Sequence, residues 1–174
     1  MDLSPLSADP LRPPAPMRLV LGSLLVALLL NLLPWSGWAL LLKPDFLLLV
    51  VLYWAVHESR SVGQTWGFAF GLLMDVADSA LLGQHALVYV VAIFLTQQLR
   101  IRMLHLRLFE QALHVAGILF VAQLIYIGLN LSLGRDFAGL ALLFGPAVGA
   151  LLWTPLHAIA VLPRFRRRGE TVML

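Results

Sequence analysis

Hydrophobic and polar positions divide the chain into six apolar runs separated by short polar breaks. That pattern predicts an all-α, polytopic membrane helix bundle of about six transmembrane helices. Residues 1–16 hold half of the ten prolines and read as a disordered cytoplasmic tail. The first run, Leu19 to Leu33, contains Asn31 and is closed by Pro34. A long proline-rich lead and the lack of an A-x-A-like site favour an uncleaved span over a signal peptide. Pro44 and Asp45 then start a second helix, since proline suits a first turn and a carboxylate suits the positive helix end. Its apolar run, DFLLLVVLYWAV, reaches only about 20 Å against about 30 Å of hydrocarbon. Either the bilayer thins there or residues 36–42 complete the crossing; Val50 on this run reads as lipid-facing.

The stretch from Gly63 to His85 stands out as the centre of organisation. Gly63, Gly67 and Gly71 repeat every four residues and share one face of a helix starting near Val62. Such a stripe lets two helix backbones approach closely within lipid, where the usual hydrophobic drive is absent. Asp75 continues the spacing and Asp78 follows three residues later. A carboxylate at a helix centre costs about 2.5–3.5 kcal/mol by insertion scales, so it must face protein or water. If the helix runs to Leu82, Asp75 lies about 20 Å along it and inside the membrane. If it ends at Met74, DVADS is an outer, solvated turn, and both readings stand. Asp75, Asp78, Gln84 and His85 are the candidate intramembrane polar anchors.

The fourth helix covers Ala86 to Leu99 and the fifth Leu108 to Leu133. Between them, RIRMLHLRL alternates basic and apolar residues and suits a loop lying on the membrane surface. Arg100, Arg102 and Arg107 in that loop are candidate contacts for a partner or for lipid. On the fifth helix Glu110 and His114 are four apart and able to meet. Gln97, Gln111, Gln123 and Asn130 are candidates for interhelical hydrogen bonds. The sixth helix, Gly139 to Leu162, carries a second packing pair, Gly145 and Gly149, and kink points at Pro146 and Pro155. The transmembrane domain is thus 17–163, followed by a basic cytoplasmic tail over 164–174.

Composition supports the membrane class: 60% hydrophobic residues, 12% charged and a mean hydropathy of +0.89 lie far from a soluble domain. Charge then orients the bundle. Ten of the 12 basic residues fall on the side holding both termini; only Lys43 and Arg135 fall on the other. Both termini are therefore expected in the cytoplasm. A net charge of +3 spread over short loops does not make a nucleic-acid-binding face. Cysteine is absent, which removes disulfides, thiolate metal sites and cysteine nucleophiles. No HExxH, GxSxG or HxxxH spacing is present, so neither metal nor cofactor is expected. Asp75 and Asp78 form a carboxylate pair, but no partner base or metal ligand accompanies them, and the non-catalytic reading is preferred.

Together these residues resemble the rod shape-determining protein MreD family. The resemblance rests on LPW at Leu33–Trp35, on Pro44 with an apolar run ending in Tyr53-Trp54, and on Arg60. It continues through Val62-Gly63, GFAFGLLMD ending at Asp75, LLG at Leu81–Gly83 and Gln111–Leu113, to a late tryptophan–proline segment before the basic tail. It spans about residues 19–168, and the block from Tyr53 to Gly83 is its most specific part. Trp153-Thr154-Pro155 and the HES before Arg60 depart from the family pattern and bear on loop geometry. The resemblance implies a multi-pass, non-enzymatic inner-membrane component of the bacterial cell-elongation (rod) complex that helps organise sidewall peptidoglycan synthesis and maintain cell shape. Its implied partners are an MreC-like single-span protein, an MreB-like actin homologue, and a RodA-type glycosyltransferase with its penicillin-binding transpeptidase. Membrane lipids are a further implied partner. The alternative is the substrate-binding subunit of a vitamin-type uptake transporter, with a solute pocket around Asp75, Gln84 and His85.

Overall fold

A computed structural model of the protein describes residues 15–59, 61–135 and 139–171. The expected features at Arg12, Arg60 and Asp136 lie outside these residues. Among the described residues there are seven α-helices and no strand. They are α1 (Met17–Leu32), α2 (Trp38–Leu42), α3 (Phe46–His57), α4 (Gln64–Ala77), α5 (Gln84–His105), α6 (Leu108–Ser132) and α7 (Phe144–Thr171). A 3-10 turn, Leu140–Leu143, leads into α7. Two helices, α5 and α6, are long and apolar enough to cross a membrane. The apolar parts of α1, α3 and α7 are shorter.

The bundle is assembled around α3 rather than around the glycine-bearing helix. Every residue from Leu47 to Val56 is buried, and α1, α4, α5 and α7 pack around it. A helix that is apolar on all sides is stable only where all sides are covered. DFLLLVVLYWAV has that composition, so its short length reflects a core position. Val50 is accordingly buried, 8% exposed, and not lipid-facing. The neighbouring segment 36–42 does not extend α3. It forms the separate one-turn α2, which packs on α7 and leaves Trp38 exposed.

Helix ends meet in two layers. At one end, Ala15 N donates to Glu58 Oε1 at 2.8 Å, and Arg100 Nε donates to the Val56 carbonyl at 2.7 Å. The start of α1, the end of α3 and the C-terminal part of α5 therefore lie together. A guanidinium on the last carbonyls of α3 satisfies an acceptor the helix leaves open and complements its negative end. The stretch 100–107 is thus not a surface loop. Helix α5 continues to His105, Arg100 is half-buried on α3, and Arg102 and Arg107 are exposed.

Other expected pairs resolve differently. Glu110 does not meet the His114 side chain: its carboxylate accepts from Arg107 N at 3.1 Å, while His114 Nδ1 faces the Glu110 carbonyl at 2.8 Å. Gln111 does link helices, its Oε1 accepting from Trp153 Nε1 of α7 at 3.3 Å. Asn130 instead bonds within α6, to the Tyr126 carbonyl at 2.9 Å, and accepts from Arg135. Pro146 falls in the first turn of α7, where its missing N–H has no helical partner to lose. Helix α7 runs unbroken past Pro155 and through all four arginines beyond 163.

Candidate functional site

The second layer gathers the C-terminal ends of α1, α4 and α6 and the N-terminal ends of α3, α5 and α7. Asn31 near the end of α1 is buried, and a lone amide in an apolar run requires partners. It finds them at the start of α3. Its Nδ2 donates to Asp45 Oδ1 at 2.9 Å, and its Oδ1 accepts from Phe46 N at 3.0 Å. Asp45 is the N-cap of α3 and also accepts from Leu48 N at 2.9 Å. Tyr89 of α5 donates its hydroxyl to the other carboxylate oxygen at 2.6 Å. Lys43 Nζ closes the network by donating to the Asn31 carbonyl at 2.7 Å. One carboxylate thereby ties α1, α3 and α5 together.

A second carboxylate organises the turn from α4 to α5. Helix α4 ends at Ala77, between the two termini the sequence allows. Asp75 lies in its last turn and is wholly buried. Asp75 Oδ2 accepts from Gly83 N at 2.8 Å; Oδ1 accepts from His85 N at 2.7 Å and faces His85 Nδ1 at 3.0 Å. With Nδ1 carrying the proton, the imidazole donates to Asp75 and turns Nε2 towards Asp78 Oδ2, 3.6 Å away. Asp78 itself is exposed. Gly83 adopts φ 98°, a left-handed conformation suited to glycine, at the N-cap of α5. The Tyr126 ring of α6 leans on the His85 ring, with centroids 4.9 Å apart. Gln84 is buried as well, yet neither of its amide atoms has a hydrogen-bond partner among the described residues.

The glycines are not equivalent. A side chain on Gly71 would strike the backbone of α5, with Ala86 N at 2.6 Å and His85 C at 2.9 Å. At Gly67 it would strike the tip of the Ile93 side chain. Gly63 stands outside the helix as its N-cap, and a Cβ there would meet only Gln97 Nε2 at an ordinary 3.6 Å. Gly145 and Gly149 belong to the polar layer: one faces the Lys43 carbonyl at 2.9 Å, the other Leu119 Cδ1 at 2.8 Å and Pro44. Close approach at Gly145 seats α7 on the turn that carries Lys43 and Pro44, and at Gly149 it brings α7 against Leu119 of α6.

Between the two networks lies a cavity of about 270 Å³. Its polar lining includes Asn31, Lys43, Asp45, Asp78, His85 and Gln123. Leu48, Val88, Leu119, Ala122 and Leu142 supply apolar wall. Asp78 and His85, named from sequence, thus reach the cavity, whereas Asp75 lies behind them and Gln84 does not line it. Lys43, Asp45 and Tyr89 were not legible as site residues. The usable signal was Asn31, whose amide needs partners inside an apolar run, and the Asp45 cap is what the next helix offers. No group of three or more metal-ligating side chains occurs among the described residues.

Helix bundle, small-residue contacts and polar network define an all-helical protein held together by hydrogen-bonded helix ends, two of its helices being long and apolar enough to cross a membrane. Comparison with known proteins gives the family. The sequence profile described as rod shape-determining protein MreD matches residues 16–158. The rod shape-determining protein MreD of Haemophilus influenzae is 31% identical over 134 residues, covering 77% of this chain and 83% of the Haemophilus protein. The chain belongs to the MreD family of rod shape-determining proteins. No solved structure matches it.

Proposed function

We propose that this protein is a non-enzymatic inner-membrane component of the cell-elongation complex, with six spans and both termini in the cytoplasm. Family membership over residues 16–158 is the observation that carries the reading. In the expected arrangement the protein holds an MreC-like single-span protein through helix packing and short outer loops, and works beside an MreB-like actin homologue. A RodA-type glycosyltransferase and its penicillin-binding transpeptidase supply the wall chemistry. The exposed Arg102 and Arg107 are available to a cytoplasmic partner or to acidic lipid. Depleting the protein from a rod-shaped host is expected to make cells round and widen. Affinity purification from native membranes is expected to recover the MreC-like partner. Depleted cells that keep normal width, and grow only when given a vitamin, would overturn this reading in favour of a transporter subunit.

Topology has its own test. The contacts Ala15–Glu58 and Arg100–Val56 put the arginine-bearing helix ends in one layer, while Lys43 belongs to the other. This segregation supports cytoplasmic termini by the positive-inside rule. A reporter active only in the cytoplasm is expected to be active when fused at either terminus and inactive near Arg135. Activity at position 135 would overturn the six-span arrangement.

A further inference from the structure

The geometry points to the cavity as a headgroup site for a phospholipid that carries a primary ammonium, of the phosphatidylethanolamine class. The charge inventory of the lining selects this chemistry. Asp45 is saturated, since Asn31, Leu48 N and the Tyr89 hydroxyl already donate to its carboxylate. Lys43 is not: its ammonium gives one hydrogen bond to a neutral carbonyl and forms no ion pair among the described residues. An ammonium has three donors, so two remain. Asp78 is also unsaturated. Its carboxylate has only the His85 Nε2 at 3.6 Å and is 43% exposed, which opens the cavity to the surface.

The lining of the cavity therefore presents one unmatched cation and one unmatched carboxylate. A singly charged ligand matches one and leaves the other; a zwitterion matches both. Phosphate at Lys43 and ammonium at Asp78 meet that requirement through charge-assisted hydrogen bonds. A primary ammonium donates to Asp78, whereas a quaternary one has no N–H to give. The remaining wall is apolar, from Leu48, Val88, Leu119 and Ala122, and suits the carbons that follow a headgroup. About 270 Å³ holds a headgroup and its first carbons, with acyl chains left to the bilayer. The site lies where helix ends meet, the level at which a spanning bundle meets headgroups. The inference rests on membrane insertion but not on a role in wall synthesis, so lipid binding and cell width are separate readouts.

The test uses the purified full-length protein, delipidated in detergent. Its thermal unfolding is followed while phosphatidylethanolamine, phosphatidylcholine or phosphatidylglycerol is titrated into the micelles. Phosphatidylethanolamine is expected to raise the midpoint at the lowest concentration. Asp78→Asn is expected to weaken that response about tenfold, to the phosphatidylcholine level, as loss of a charge-assisted bond of about 1.5 kcal/mol implies. The phosphatidylglycerol response should not weaken in Asp78→Asn, because the lost charge only repels an anionic lipid. Lys43→Gln is expected to weaken all three. Should Lys43→Gln fail to fold, the exposed Asp78 still decides, because its side chain makes no hydrogen bond within the described fold. Equal responses to the three lipids, or an Asp78→Asn variant that behaves like the parent, would overturn the proposal. So would a soluble glycerophosphoethanolamine that stabilises as well as the lipid, since the ligand would then be a soluble zwitterion.

Discussion

Gly71→Ala is expected to lower the protein's steady-state level and unfolding midpoint sharply, although only one methyl group is added. The atoms it would strike, Ala86 N and His85 C, belong to the backbone of α5 and have no rotamer to change. Relief requires the two helices to separate, and overpacking of this kind costs about 1–3 kcal/mol. Separation also pulls on the hydrogen bonds from Gly83 and His85 to Asp75, one helical turn away. Gly67→Ala meets a flexible side-chain tip, Ile93 Cδ1, and is expected to be milder. Gly63→Ala is expected to behave like the parent. The graded order 71, 67, 63 is the measurable content, read as midpoints in detergent and as complementation of a depleted strain. A flat series, or Gly63→Ala as the most damaging, would contradict the close α4–α5 contact.

Asp75→Leu is expected to be the most damaging single change in the polar layer. It leaves the buried His85 amide and the part-buried Gly83 amide without an acceptor. An unsatisfied buried donor costs about 1–3 kcal/mol, a penalty that falls in full on the His85 amide and in part on Gly83. Asp75→Asn should fall between Leu and the parent. Its carbonyl oxygen can serve both His85 donors, but its amide then faces the Gly83 N–H, donor against donor. Protein level and midpoint are the readouts. Equal and complete loss of complementation in both variants, at normal protein levels, would instead assign Asp75 a charge-dependent role.

Both predictions concern the same helix end, and they show why one glycine and one carboxylate in an apolar chain count for so much. In the absence of a hydrophobic drive between helices, close backbone contact and satisfied hydrogen bonds hold a bundle together. Gly71 supplies the first and Asp75 the second, within one turn of each other. The Asn31–Asp45–Tyr89 network performs the second task for α1, α3 and α5.

From its sequence alone the chain is an all-helical bundle with its glycines and carboxylates singled out, because helices in lipid must satisfy their own backbone and polar residues there are rare. The family was legible too, through the block from Tyr53 to Gly83. Which helix lies at the centre was not. An evenly apolar run such as 46–57 has no face, so periodicity cannot tell lipid on its outside from protein on all sides. Nor can spacing rank three glycines on one stripe; only the partner backbone makes Gly71 intolerant and leaves Gly63 at an ordinary distance. The cavity is likewise a tertiary fact. Lys43, Asp45, Asp78 and His85 come from turns up to 42 residues apart, and nothing local to any of them records the others. Helix packing alone brings their charges around one cavity.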